Sequence, residues 1–153
     1  MEKVYDEHGR QLFTCALGIT RNVELAEDAI HEAFCRGFGL NHMPQNLKAY
    51  MFASVRNAAI DELRRRSRTN REAVDYVFDS SPGPAEIAQQ KQWRQSVAKA
   101  LLELSQDERE TIVQHLYADL TFQEIADVRG RPLGTVASWY RRGLTKLKDH
   151  LES

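Results

Sequence analysis

Residues 121–136 read Thr-Phe-Gln-Glu-Ile-Ala-Asp-Val-Arg-Gly-Arg-Pro-Leu-Gly-Thr-Val, and the backbone has few options along this stretch. Thr121 and Glu124 form a capping box. The hydroxyl accepts from the amide three residues on, and the carboxylate reaches back, so a helix is predicted to start at about residue 122. Gly130 stops it, because glycine enters the left-handed conformation without the steric cost of a Cβ. Pro132 fits the first turn of a following helix, where its missing N–H costs nothing. A second capping box, Ser105 to Glu108, predicts a helix start at about residue 106. Helix, glycine turn, helix is the helix-turn-helix pattern.

In the last helix, spacing puts Leu133, Val136, Tyr140, Leu144, Leu147 and Leu151 on an inward side. Thr135, Ser138, Trp139, Arg142 and Lys146 fall on the other side. That outer face has the chemistry to meet DNA. Arg142 can donate to guanine edges or phosphate, Thr135 and Ser138 can hydrogen-bond, and Lys146 supplies charge. The plain alternative is a helical hairpin with a solvated arginine face.

The rest of the chain is also helical in pattern, which predicts an all-α fold. Leu12, Phe13, Ala16 and Leu17 mark a first helix. Ala26, Ala29, Ile30, Ala33, Phe34 and Gly37 mark a second, and Met51, Phe52, Val55, Ala59 and Leu63 a third. Trp93, Val97, Ala100, Leu101 and Leu104 mark a fourth, and Trp93, Phe34 and Tyr117 are expected in the core. Ser80-Ser81-Pro82-Gly83-Pro84 cannot continue a helix. The expected organisation is a helical domain over 1–68, a flexible linker over 69–92 and a second helical domain over 93–153. Each half is small, so each core should be thin.

A formal net charge of −1 is not that of a general polycation, but the charges are segregated. Arg56, Arg64, Arg65, Arg66, Arg68 and Arg71 form one basic stretch. Arg129, Arg131, Arg141, Arg142, Lys146 and Lys148 form another. Acidic residues gather elsewhere, at Glu24, Glu27, Asp28 and Glu32 and at Asp107, Glu108 and Glu110. Two local basic patches suit local phosphate contacts. No apolar run is long enough for a membrane span and no export signal opens the chain, so membrane insertion is not expected and a cytoplasmic setting is. Cys15 and Cys35 then read as reduced thiols, Cys15 buried and inert. His31-Glu32-Ala33-Phe34-Cys35 is a near miss to a zinc-protease motif. The second histidine is absent, and no metal or other cofactor is expected.

The stretch from Leu101 to Leu151 resembles the C-terminal domain of bacterial RNA polymerase sigma factors of the extracytoplasmic-function (ECF) class. Glu124-Ile125-Ala126, Gly130, Pro132, Gly134-Thr135-Val136 and Ser138 carry the likeness. "AEDAIHEAFCRGF" resembles the family's polymerase-binding helix, and "LKAYMFASVRNAAIDELRRRSR" its promoter-melting helix. The departures are Arg129 and Arg131 in a turn that is usually apolar, Ala137 and Trp139 at positions often basic, His31 for a frequent glutamine, and Tyr50 for tryptophan.

The resemblance implies a sigma (promoter-specificity) subunit with no catalysis of its own. Residues 1–68 would be region 2, binding core polymerase and recognising and melting the −10 element. Residues 93–153 would be region 4, recognising the −35 element. Its partners would be core RNA polymerase through the β′ clamp and β flap, double-stranded promoter DNA, the non-template single strand, and an anti-sigma factor. Asp28, His31, Glu32 and Phe34 would dock on polymerase. Asn41, His42, Met43 and Asn46 would capture a flipped base, and Arg56, Asn57, Arg64, Arg65 and Arg66 would hold the −10 DNA. Arg131, Thr135, Ser138, Trp139, Arg141, Arg142 and Lys146 would read the −35 element. Two rivals remain: a stand-alone helix-turn-helix regulator, which leaves residues 20–68 without a purpose, and a sigma mimic that sequesters an anti-sigma factor.

Overall fold

A computed structural model describes residues 2–67 and 87–152, and among them there is no strand. Arg68, Arg71 and the Ser80–Pro84 breaker lie outside the described residues. The N-terminal half consists of α1 (Glu2–Thr20), α2 (Val23–Phe38) and α3 (Leu47–Ser67). Arg21 adopts a left-handed φ of 54° that ends α1, and Asn22 then caps α2, its Oδ1 accepting from the Leu25 amide at 3.0 Å. Asn46 starts α3 in the same way, accepting from the Ala49 amide at 3.0 Å. Leu12, Cys15 and Ala16 of α1, Ala26, Ala29 and Ala33 of α2, and Met51, Phe52, Val55, Ala58 and Ala59 of α3 form the buried faces. Alanines at one-turn intervals let α2 lie close to its neighbours. Cys15 is buried, and burial, followed by the charge of Glu110, pushes its thiol up. Cys35 is exposed.

The C-terminal half begins with α4 (Ala88–Leu102), followed by α5 (Gln106–Ile112), a π-helical turn (Val113–Tyr117), α6 (Phe122–Arg129) and α7 (Leu133–Glu152). Both capping boxes form: Ser105 Oγ accepts from Glu108 N at 3.2 Å and Thr121 Oγ1 from Glu124 N at 3.1 Å. The π turn was not anticipated. It closes through Ala118 N to Val113 O at 3.0 Å, one residue wider than an α turn. His115 in this turn stacks on Phe122 at 4.5 Å and meets Tyr140 edge-on at 4.9 Å, while its Nδ1 donates to the Leu120 carbonyl at 2.8 Å.

Two residues expected in the core are on the surface. Trp93 is 59% exposed. The inward face of α4 is carried by Val97, Ala98 and Leu101, and Trp93 instead lines an open groove with His150 and Leu151 of α7. Tyr117, the last residue of the π turn, is exposed.

The halves meet. α3 packs on α6, and α1 packs on α5 and the π turn. The buried apolar residues of the two halves form one continuous cluster. Charged groups close this seam. Lys48 Nζ lies 2.9 Å from Glu124 Oε2, and the Arg56 guanidinium grips the Glu110 carboxylate through both Nε and Nη2.

Candidate nucleic-acid interface

The turn between α6 and α7 is built as its sequence requires. Gly130 sits in the left-handed region at φ 63°, ψ 38°, where a side chain would be strained. Pro132 stands one position before the helix, not inside it. Its carbonyl accepts from the amides of Thr135 at 3.0 Å and Val136 at 3.2 Å, and α7 begins at Leu133.

The rotation of α7 about its axis differs from the leucine-stripe reading. Val136 and Gly143 are buried, with Trp139, Tyr140 and Leu147 packed beside them. Leu133 and Leu144 are exposed. The cause is Gly143, where α7 lies tight against α5: a Cβ there would lie 2.8 Å from Ile112 Cδ1. A glycine contributes nothing to a hydrophobic stripe, so spacing of apolar side chains cannot reveal that it centres the buried face.

Two residues expected on the DNA-reading face also make contacts within the protein, Lys146 remaining half exposed as it does so. Trp139 is half-buried and lies under the Arg129 guanidinium, 4.3 Å from the ring centroid. Lys146 Nζ donates to both Glu108 oxygens, at 2.9 and 3.1 Å. Burial alone would raise the Glu108 carboxyl. Its bonds from Lys146 and Ser105 outweigh that and hold it below the usual range. Arg142 approaches the same carboxylate at 3.7 Å, yet its side chain remains 58% exposed. Arg131, Arg141 and Arg142 are exposed, with Thr135 and Ser138 half-buried between them. That set forms the outer face of the motif.

Arg129 is not a phosphate contact of the turn. Its side chain is only 1% exposed, and its Nη2 lies 2.6 Å from Asp107 and 3.3 Å from Glu110. Nη1 donates to Thr111 Oγ1 at 2.8 Å. Burial lowers its pKa, and Glu110 opposes that most strongly. It fastens α6 to α5 in the way a buried ion must be fastened, with several partners.

In the N-terminal half, Asn41, His42 and Met43 are exposed in the loop between α2 and α3. Asn46 has its Oδ1 committed to the α3 cap, which leaves its amide nitrogen to donate outward. Along α3, Asn57, Arg64 and Arg65 are exposed and Arg66 half-buried. Arg65 pairs with Glu62 one turn back. Arg56 departs from this series, since it turns into the seam. Lys48, which sequence reasoning passed over, lies two turns before Arg56 and turns the same way.

On α2, Asp28 and His31 are exposed. Glu32 is half-buried and bonded to Arg36 at 2.7 Å, the local pairing that its spacing allows. Phe34 is buried and packs edge-on against Tyr5 at 5.3 Å, so it belongs to the α1–α2 core rather than to an exposed docking ridge. Tyr5, Phe13, Ile30, Phe34 and Phe38 line an open groove of about 910 Å³ edged by Glu2, Asp6 and Glu27. Tyr5 and Phe38 were not anticipated there, because their pairing depends on how α1 crosses α2. Among the described residues no group of His, Cys, Asp or Glu is placed to hold a metal ion, and no helix is long and apolar enough to cross a membrane.

A glycine-turned helix pair with an exposed arginine face, joined to a three-helix unit with its own basic helix, defines a two-part helix-turn-helix DNA-binding protein. Residues 4–69 match the family model described as Sigma-70 region 2, and residues 94–147 match Sigma-70, region 4. The ECF RNA polymerase sigma factor SigL of Mycobacterium tuberculosis is 31% identical over 90% of this chain and 81% of its own length. RpoE of Cereibacter sphaeroides is 27% identical over 84% of this chain and 71% of its own. SigE of Mycolicibacterium smegmatis is 28% identical over 98% of this chain, which spans 61% of that protein. Among solved structures, the sigma factor RpoE from Bartonella quintana, crystallised with the anti-sigma factor NepR, has the same fold. The TM-score is 0.78 at 23% identity, over 99% of this chain and 96% of that one. The chain belongs to the ECF family of RNA polymerase sigma factors. Its members are transcription initiation factors that act as promoter-specificity subunits, binding core polymerase and promoter DNA.

Proposed function

We propose that the two halves divide promoter recognition between them, residues 1–68 acting on the −10 element and residues 93–153 on the −35 element, with 69–92, whose last five residues already belong to α4, joining them. The observation that carries this reading is the outer face of the C-terminal motif. Arg131, Arg141 and Arg142 stand exposed around Thr135 and Ser138, a donor set suited to phosphates and guanine edges. Trp139 supports that face from behind, and Lys146, half exposed and sharing Glu108 with Arg142, stands at its edge. In the N-terminal half, Asn41, His42, Met43 and the Asn46 amide are the candidates for reading an extruded base, and Asn57, Arg64, Arg65 and Arg66 for the strand beside it. Asp28, Glu32 and His31 form the polymerase-facing edge of α2, with Phe34 holding that edge on α1. The protein performs no chemistry of its own in this reading and works in the cytoplasm. An anti-sigma factor is a natural further partner, since the Bartonella quintana protein of the same fold was crystallised with one.

Core binding followed by run-off transcription tests the reading. The wild type is expected to co-purify with core polymerase and direct promoter-dependent transcripts. Asp28→Lys with Glu32→Lys should keep its helicity and melting temperature, because the Glu32–Arg36 pair is partly solvated and worth about 0.2–0.5 kcal/mol, but should lose co-purification. A double variant that still assembles holoenzyme would refute the assignment of α2. Tight sequence-specific binding by the free wild type would favour a stand-alone regulator.

A further inference from the structure

We propose that Glu108 of α5 is a specificity-determining residue for the reading of the −35 element. It acts as a positioning residue: its carboxylate takes up the charge of Lys146 and orients Arg142, so that this edge of α7 does not bind phosphate indiscriminately. The inference rests on the reading of the α7 face as the −35 surface given above.

Arg142 and Lys146 are four residues apart, so they stand one turn from each other on one side of α7. Gly143 lies between them in the sequence and is buried, and a Cβ there would lie 3.4 Å from Glu108 Cβ. The missing side chain thus lets α5 bring Glu108 within reach of both cations. Lys146 Nζ meets its two oxygens at 2.9 and 3.1 Å, and Arg142 Nε stands 3.7 Å from Oε2. The Glu108 side chain is 5% exposed, whereas those of Lys146 and Arg142 are 50% and 58% exposed. The acid is fixed inside the fold while its two partners stand at the surface that meets DNA.

Helix capping does not account for the charge of Glu108. The Ser105 amide donates to Oε1 at 3.1 Å, a bond that glutamine makes equally well in a capping box. Capping therefore explains an oxygen at this position, not an anion. A surface that only bound phosphates would gain nothing from a carboxylate, which repels them and cancels the attraction of a nearby cation. A lysine already balanced by an acid releases no net counterion on meeting a phosphate, so it adds little to binding of any sequence. A guanidinium held beside a carboxylate has fewer orientations to lose when it reaches a base edge. The first effect weakens binding to wrong sequences and the second favours the right one. Specificity is the difference between those affinities.

The test is Glu108→Gln in holoenzyme, with Kd measured across a salt series on two duplex promoters that differ only in an intact or a scrambled −35 element. Binding to the scrambled duplex should strengthen about eightfold near 0.1 M salt, and the slope of log K against log salt should steepen by about 0.9, both as expected for one freed phosphate contact. The ratio between the two duplexes should narrow about fivefold, the low end of a base contact. Adding Lys146→Gln to Glu108→Gln should return the salt slope to the wild-type value. A slope that stays steep is a plain effect of the removed acid and overturns the positioning role. An unchanged slope and ratio in Glu108→Gln, or equal weakening on both duplexes, also overturns it, since the carboxylate then serves the fold alone. Arg142→Ala separates the proposal from the reading beneath it. If that variant leaves the ratio unchanged, the −35 assignment of the α7 face fails; if it narrows the ratio and Glu108→Gln does not, only the role of Glu108 fails. Should Glu108→Gln lose its far-ultraviolet helical signal, Lys146→Gln alone carries the test. Its salt slope should match the wild type, because the lysine is already balanced, and a slope shallower by about 1, the mark of a lost phosphate contact, overturns the proposal.

Discussion

The seam between the halves and the outer face of α7 both depend on arginine, under opposite conditions. Just behind the seam, Arg129 is 1% exposed and shares Glu110 with Arg56, which reaches across from the other half. On α7, Arg142 is 58% exposed and touches Glu108 only at 3.7 Å. Along the sequence Arg129 belongs with Arg131 and Arg141, and Arg56 with Arg64 to Arg66. The fold regroups them, drawing Arg56 and Arg129 from the two basic stretches onto one acid. A run of basic residues therefore marks where cations are made, while the carboxylates across the fold decide which of them face outward.

The sharpest way to break the contrast is to truncate neighbours in the glycine turn. Arg129→Ala should cost about 3 kcal/mol or more, because Thr111 loses its donor and Glu110 one of its two cations inside the protein. Arg131→Ala, two residues away and exposed, should change stability by no more than about 0.5 kcal/mol. Urea unfolding of both variants measures the difference, and equal costs would dissolve the distinction between seam and face.

A second, smaller effect sharpens the role of the outer face. Arg142→Ala should weaken recognition of the −35 element by about 1–3 kcal/mol without loss of core polymerase binding. The lost contact to Glu108 is exposed on one side and worth about 0–1 kcal/mol in folding. Transcription from a −35-dependent promoter is the measurement, and an unchanged yield would show that the reading face is turned elsewhere.

How much of this could be read from the chain alone depends on how far apart the interacting residues are. Ser105 and Glu108, Thr121 and Glu124, and Gly130 act within four residues, and the two helix starts and the stop stand where those residues put them. Trp93 was misplaced because α4 buries the face of Val97 and Ala98. The rotation of α7 was misjudged because Gly143, which fixes it, has no side chain. Partners of Arg129 lie 18 and 22 positions away, and the partner of Arg56 lies 54 away. No local pattern reports pairs at such separations. Phe34 satisfied two readings at once, core and docking residue, and only its packing on Tyr5 separates them.

The least pronounced effect concerns acid. Burial raises Glu108 and Glu124. For Glu108 the bonds from Lys146 and Ser105 prevail, and for Glu124 those from Thr121 and Lys48, so both lie below the ordinary 4.5. A carboxyl lowered in the folded state contributes stability that is complete above its unfolded pKa and is lost as pH falls through the folded value. Melting temperature should hold from pH 7 to about pH 5 and decline below the ordinary carboxylate range. Lys146→Met should flatten that decline, since it removes the bond that lowers Glu108 most. An equally steep decline in the variant would place the acid sensitivity outside this pair.

Cys15 lies in the interior with its thiol pushed up by burial, and Cys35 lies in the open on α2. At neutral pH a thiol-directed dye thus has a single address on the native chain. That address is on the same helix as Asp28 and Glu32, one turn beyond His31. The protein carries a ready attachment point for a fluorophore beside its proposed polymerase-facing edge, so the arrival of polymerase can be followed as a change in emission without introducing any cysteine.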